Sequence, residues 1–181
     1  RRGREAEGRE MTPLEEVLSG RDERAAWQRR WLRSQEGNFF VCQIGLNVPG
    51  YPKRIPRDLA VVRKCRKYLL EHAHAAPVEE QHLENGAGVC WQGVFDASKY
   101  DAASLKRCAV EAENSMTAGR VLDIDVLTAA GALSRTQMGL PERRCLLCGE
   151  RAKVCARLGG HPQSELRERV VRIINAAALE M

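Results

Sequence analysis

Apolar positions along the chain alternate between a helical period and a strand period, and the switches mark the expected elements. From Leu14 to about Ser34, the residues Leu14, Val17, Leu18, Ala25, Trp27, Trp31 and Leu32 recur at helical spacing. Thr12 is placed to cap this helix, with Pro13 at its first position and Glu15 closing a capping box. Ser19-Gly20 interrupts the pattern and predicts two helical pieces or one kinked helix. Residues 39–48, FFVCQIGLNV, are rich in strand formers and stop at Pro49-Gly50, which predicts a mostly buried strand emptying into the loop that holds Lys53 and Arg54. A helix is expected over 57–75, with Leu59, Val62, Cys65 and Leu69 on one stripe and Arg63, Lys64, Arg66 and Lys67 on the other.

Val89, Trp91, Gly93 and Phe95 fall in period two, so 88–95 reads as a strand paired with a shorter one around 78–83 across the turn ENGAG. Residues 101–115 have helical composition, and Gly119 lies just beyond, where a glycine resets the backbone. VLDIDVL at 121–127 is a short strand, followed by a turn at Ala129-Ala130-Gly131 and a return strand over 132–134. Two further helices are expected over 150–158 and 164–179. The sum is an α+β protein, a mixed sheet flanked by helices, in a single domain over 11–181 whose C-terminal region, 143–181, is helical and carries cysteines and a histidine. The leader RRGREAEGRE, residues 1–10, has no residue able to anchor a core and is expected to be disordered.

Composition narrows the partners. Of 181 residues, 44% are hydrophobic, enough for one real core, and 29 basic against 24 acidic side chains give a net charge of +5 that favours anionic ligands. There is no run of 18 apolar residues and no secretory-peptide progression, so no membrane is expected and a cytoplasmic location is. Seven cysteines are an odd number in a chain too large to need staples, which argues for free thiols or metal ligands. Cys42, Cys65, Cys90 and Cys108 are expected to be ordinary buried side chains.

The chemistry concentrates in two places. In a strand, Asp123 and Asp125 point the same way while Leu122, Ile124 and Val126 point into the core. Two such carboxylates, Cα atoms roughly 6 to 7 Å apart, repel one another unless a cation lies between them, and Mg²⁺ suits oxygen ligands that must also meet phosphate. Gly119-Arg120 just before the strand and Ser134-Arg135 just after it supply a close backbone approach and guanidinium grips for phosphate. The alternative is a strand face with two solvated acids. The second place is Cys145, Cys148, Cys155 and His161, spaced C-x2-C-x6-C-x5-H, a set suited to structural zinc because all four positions are taken by protein. The alternative there is a small local core of reduced thiols. Residues 135–172 hold nine Lys or Arg against four Glu, yet no recognition helix or aromatic strip accompanies them, so nucleic acid is not the expected partner.

In order, Gly119-Arg120-x-x-Asp123-Ile124-Asp125-Val126, Ser134-Arg135, Arg144-Cys145-Leu146-Leu147-Cys148, Cys155-Ala156-Arg157 and His161 resemble the citrate lyase holo-[acyl-carrier-protein] synthase family, the CitX proteins. Arg21-Asp22-Glu23-Arg24 and Asn47-Val48-Pro49-Gly50 with Lys53 extend the resemblance upstream, so that it spans about 14–170. It implies transfer of the phosphoribosyl-dephospho-CoA group from 2′-(5″-triphosphoribosyl)-3′-dephospho-CoA to a serine of the citrate lyase acyl carrier protein, the gamma chain, with release of diphosphate. The Asp-x-Asp is similar to the metal pair of nucleotidyltransferase-type enzymes. On this reading Asp123, Asp125 and Arg120 are catalytic, Asp123 and Asp125 hold Mg²⁺, and Gly119, Arg135, Arg21 and Lys53 bind substrate phosphate. Where the family often carries a histidine after a glutamate, this chain keeps Glu113 but has Asn114 and Met116, so the resemblance supplies no general base. The rival from another class is a zinc-stabilised, non-catalytic module that binds an acidic protein or nucleic acid.

Overall fold

The computed structural model describes residues 10–180; the expected leader, apart from Glu10, lies outside the described residues. The chain runs α1 (Pro13–Leu32), β1 (Phe39–Leu46), α2 (Asp58–His72), β2 (Glu79–Asn85), β3 (Gly88–Asp96), α3 (Ala102–Ser115), β4 (Leu122–Thr128), β5 (Gly131–Ala132), a 3-10 turn at Thr136–Met138, α4 (Ala152–Leu158) and α5 (Gln163–Leu179). The α+β class with helices flanking a sheet is as expected. Strand order is β2-β3-β1-β4-β5 and every neighbouring pair is antiparallel, so the sheet is not mixed in direction. The cause is connectivity: the β2–β3 hairpin returns the chain against β1, and α3 carries it back to lay β4 antiparallel on β1's other edge.

One sheet face carries the core. Phe40, Cys42 and Ile44 of β1, Trp91 and Phe95 of β3 and Leu122, Ile124 and Val126 of β4 meet Val62, Cys65 and Leu69 of α2, Leu105 and Ala109 of α3, and Val170 and Ile174 of α5. Cys42, Cys65 and Cys90 are buried as expected, Cys108 is partly so, and all seven thiols are free. Burial pushes the Cys65 thiol up to about 12 and the Cys90 thiol to about 11, as inert packing residues require.

The opposite face is covered by α1 and sets a row of amides among buried Val41, Cys90 and Val94. In register across the sheet stand Gln81, Gln92, Gln43 and Asp125. Gln81 donates to Gln92, Gln92 to Gln43, and Gln28 of α1 also to Gln43, at 2.7, 2.9 and 2.9 Å. This ladder satisfies amides that would otherwise be costly to bury, and it ends at Asp125. The helix α1 is one continuous element with the expected capping box, not two pieces. Gly20 is buried in it because the β2–β3 turn presses there, with Asn85 donating to its carbonyl at 3.2 Å. Among the described residues, no helix is long and apolar enough to cross a membrane.

Candidate functional site

The alternation of β4 puts Leu122, Ile124 and Val126 into the core and turns Asp123 and Asp125 together to the other side, Asp123 exposed and Asp125 half-buried. Both line one cavity of about 290 Å³. The Asp125 carboxylate has no hydrogen bond or ion pair among the described residues. Burial, and then the charge of Asp123, hold its carboxyl above the ordinary carboxylate range despite Lys106 and Arg143 nearby. Asp123 has one loose partner, Arg143, at 3.8 Å. Two acids on one face, one half-buried and unpartnered, form an oxygen donor set that fits a divalent cation.

The outer edge of β4 is closed by side chains instead of a neighbouring strand, since β5 pairs only with Leu127 and Thr128. Glu113 of α3 accepts from the Ile124 N–H at 3.1 Å, while Lys106 of the same helix donates to the Ile124 carbonyl at 2.5 Å and Arg143 to that of Leu122. Glu113 and Lys106 are 6% and 5% exposed, so these bonds are made away from water. Glu113 also pairs with Arg143 at 2.7 Å and with Arg135. One buried carboxylate thus fixes the strand that carries the acid pair and two guanidiniums beside it.

The expected site residues divide between two places. Arg135 shares the acid-pair cavity, and Ser134 lies at its rim. Gly119 abuts the Ala112 and Glu113 carbonyls at the end of α3, where a side chain would collide with backbone. Arg120 donates to the carbonyls of Arg144 and Cys145, at 3.3 and 2.5 Å, and lines a second cavity of about 400 Å³ together with Lys53. Lys53 is held by the Val48 carbonyl at 2.7 Å; burial, then repulsion from Arg21 and Arg167, lower its pKa. The two cavities share Arg143 and Ala152 as a wall.

Lys106 and Arg143 are site residues that the sequence reading missed. The signal for Lys106 was there: with Glu113 it stands seven positions apart on the same stripe of α3 as Ala109 and Val110, a charged pair on an otherwise apolar face. Arg143 carried no such mark among its basic neighbours.

Cys145, Cys148, Cys155 and His161 come together, their ligand atoms all within 4.8 Å of one another. Cys148 Sγ lies 3.4 Å from Cys155 Sγ and 3.3 Å from His161 Nε2. Tetrahedral zinc separates its ligand atoms by roughly 3.4 to 3.8 Å given the usual bond lengths, so the set is close to coordination geometry. An Arg144–Arg151 bridge and a Cys145 N–H bond to the Glu150 carbonyl at 2.6 Å shape the turn that offers Cys145 and Cys148. Gly159, at φ +59°, ends α4 in the left-handed conformation and swings His161 back toward it. Burial raises the Cys145 pKa, but hydrogen bonds from the Leu147 and Cys148 backbone and the neighbouring thiols outweigh it and bring the thiol down to about 6. Cys155 moves the other way, first because its hydrogen bond with Cys148 favours the protonated thiol and then because of burial. The crowded set takes one negative charge easily and resists a second, a penalty that a bound cation removes.

A family model described as apo-citrate lyase phosphoribosyl-dephospho-CoA transferase, CitX, matches residues 12–177. A protein of that name from Shigella flexneri serotype 5b is 33% identical over 164 residues, covering 90% of this chain and 88% of that protein. Another of the same name from Escherichia coli O1:K1 / APEC is 35% identical over 167 residues with the same coverage. Protein CitXG from Haemophilus influenzae is 32% identical over 162 residues, which are 87% of this chain and 34% of that protein.

Proposed function

This chain belongs to the CitX family of apo-citrate lyase phosphoribosyl-dephospho-CoA transferases, and from that membership we propose its reaction and the residues that serve it. It attaches the phosphoribosyl-dephospho-CoA group to the apo-citrate lyase acyl carrier protein. The family does not favour the non-catalytic module. The group comes from 2′-(5″-triphosphoribosyl)-3′-dephospho-CoA. The carrier serine oxygen forms a bond to the phosphorus next to the 5″ carbon, the bond from that phosphorus to the bridging oxygen breaks, diphosphate leaves, and the serine proton passes to solvent.

The observation that carries the site assignment is the acid pair on one face of β4, in a cavity lined by five basic and four acidic side chains. A lining of net charge +1 is too weak for a triphosphate near −4, so the cavity calls for added positive charge. Mg²⁺ bound by Asp123 and Asp125 supplies it, neutralising charge on the transferring and leaving oxygens, as in nucleotidyltransferase-type chemistry. Glu113 keeps Arg135 and Arg143 turned toward the same cavity, where their remaining N–H groups can grip phosphate. Arg120 holds the turn bearing Cys145, and Arg21 and Lys53 add positive charge by the second cavity.

Cys145, Cys148, Cys155 and His161 bind zinc as a structural ion, since no position remains for water or substrate. Reduced thiols throughout the chain agree with a cytoplasmic location. Intact-mass measurement of the carrier after incubation with the precursor tests the reaction: one phosphoribosyl-dephospho-CoA increment on one serine, with an equivalent of diphosphate, is expected. Asp123→Asn lowers the rate on the order of 10²-fold or more while leaving the melting curve intact. A near-wild-type rate for that variant in Mg²⁺ would remove the metal assignment.

A further inference from the structure

The second cavity differs in character from the first. Four basic side chains, Lys53, Arg120, Arg143 and Arg144, line it and no carboxylate does. Lys53, Arg120 and Arg144 have no ion-pair partner among the described residues. Each is instead steadied by a backbone carbonyl, of Val48, Cys145 and Gly149 respectively, which fixes the side chain and leaves other N–H groups to donate. Val48, Leu146 and Leu166 add apolar surface, beside the polar Asn47 and Gln163 and beside Cys145, Cys155 and His161 of the Cys/His set. A cavity of about 400 Å³ that joins apolar patches to fixed cations, with no Asp or Glu in its lining, has the chemistry of a nucleotide site.

The shared wall at Arg143 and Ala152 gives this meaning. The precursor carries two separate polyphosphates: the triphosphate on its outer ribose, and the diphosphate of its dephospho-CoA half. We propose that the second cavity binds that dephospho-CoA half, with the adenosine on its apolar patches and the diphosphate against Lys53, Arg120 and Arg144, while the triphosphate reaches across Arg143 to the acid pair. The inference rests on the transferase reading above and assigns half of its substrate to a second site. Crowding of Lys53 by Arg21 and Arg167 agrees with an anion there, since a diphosphate offsets that repulsion.

Calorimetric titration with 3′-dephospho-CoA, which lacks the triphosphoribosyl arm, tests the site without the transfer reaction or the carrier. The wild-type chain binds it. Ala156→Trp, which swings an indole into the cavity from an exposed turn of α4, weakens binding at least 10-fold, and so does Arg144→Ala. Melting curves of both variants show whether they stay folded. Asp123→Asn binds within 2-fold of wild type, because the acid pair belongs to the other half. In transfer assays Ala156→Trp raises KM for the precursor and spares kcat. Wild-type affinity in both cavity variants, or loss of it in Asp123→Asn, overturns the proposal and leaves the transferase reading standing; absence of the carrier increment with wild-type protein would instead remove that reading.

Discussion

Glu113 is the residue on which most of the site turns. Its buried carboxylate serves the Ile124 N–H, Arg143 and Arg135 at once, so removing it frees a strand edge and leaves two guanidiniums in poor solvent. Breaking a buried pair of this kind costs about 3–5 kcal/mol, whereas an exposed pair such as Lys67–Glu71 is worth well under about 1 kcal/mol. Glu113→Ala should therefore lower the unfolding midpoint in urea far more than Glu71→Ala. A second carboxylate contributes to the acid limb of stability. Glu80 accepts both arms of Arg66, at 2.7 and 2.6 Å, and the Trp91 indole N–H at 2.7 Å, and the Arg66 bonds above all hold its pKa below the ordinary value. A lowered folded pKa contributes stability that is present above the unfolded carboxylate value of about 4.3 and is lost as pH falls through the folded one. Glu80→Gln should flatten the fall of the urea midpoint over that interval; an unchanged slope would show that the carboxylate is not tied in solution.

At the scale of elements, α1 shows how a helix propensity can mislead. Ser19-Gly20 reads as a break or a kink, yet one continuous helix runs through it, and the glycine is there because a Cβ would meet the Asn85 side chain and, at 2.8 Å, the Ala87 backbone nitrogen. Gly20→Ala gains about 1 kcal/mol in helix propensity but forces the helix off the β2–β3 turn at about 1–3 kcal/mol. Net destabilisation is expected in a thermal melt, and a rise in midpoint would mean the contact is soft. The same comparison explains what was legible. Strands β1, β3 and β4 and helices α2, α3 and α5 follow from apolar runs and period, because each sets apolar side chains into the core. The same-side placement of Asp123 and Asp125 follows from pleating alone. The closure of β4's edge does not follow, because Lys106 and Glu113 come from a helix and Arg143 from a distant turn, and only the tertiary fold brings them to one strand. Arg120 stands beside the acids in the sequence, and only the tertiary fold brings it to the cysteine turn and the lining of the second cavity.

Over the whole molecule, the segment from Arg143 to His161 is attached to the sheet by few direct apolar contacts; of its cysteines only Cys145 is buried, and α4 has no buried residue. Its order has to come from elsewhere: from Arg120 reaching across to it, from its own Arg143 reaching back to Glu113, and from the Cys/His set. Structural zinc in such sets contributes apparent free energies of about 10–16 kcal/mol, far more than those polar contacts, so metal should decide whether the segment is folded while the sheet stands on its own core. Protein purified without chelator is expected to carry about one zinc per chain. Cys148→Ser should lose it, keep the far-ultraviolet dichroism of the sheet and helices, and lose amide protection across 143–161; Cys108→Ser, on α3 and outside the set, should keep both metal and protection. Because Arg143 sits on that segment and faces both cavities, the Cys148→Ser chain should also bind 3′-dephospho-CoA poorly before any chemistry is attempted. If Cys148 and Cys155 of the native protein react freely and the segment stays protected, its order comes from the polar contacts alone, and the metal has no part in shaping the site.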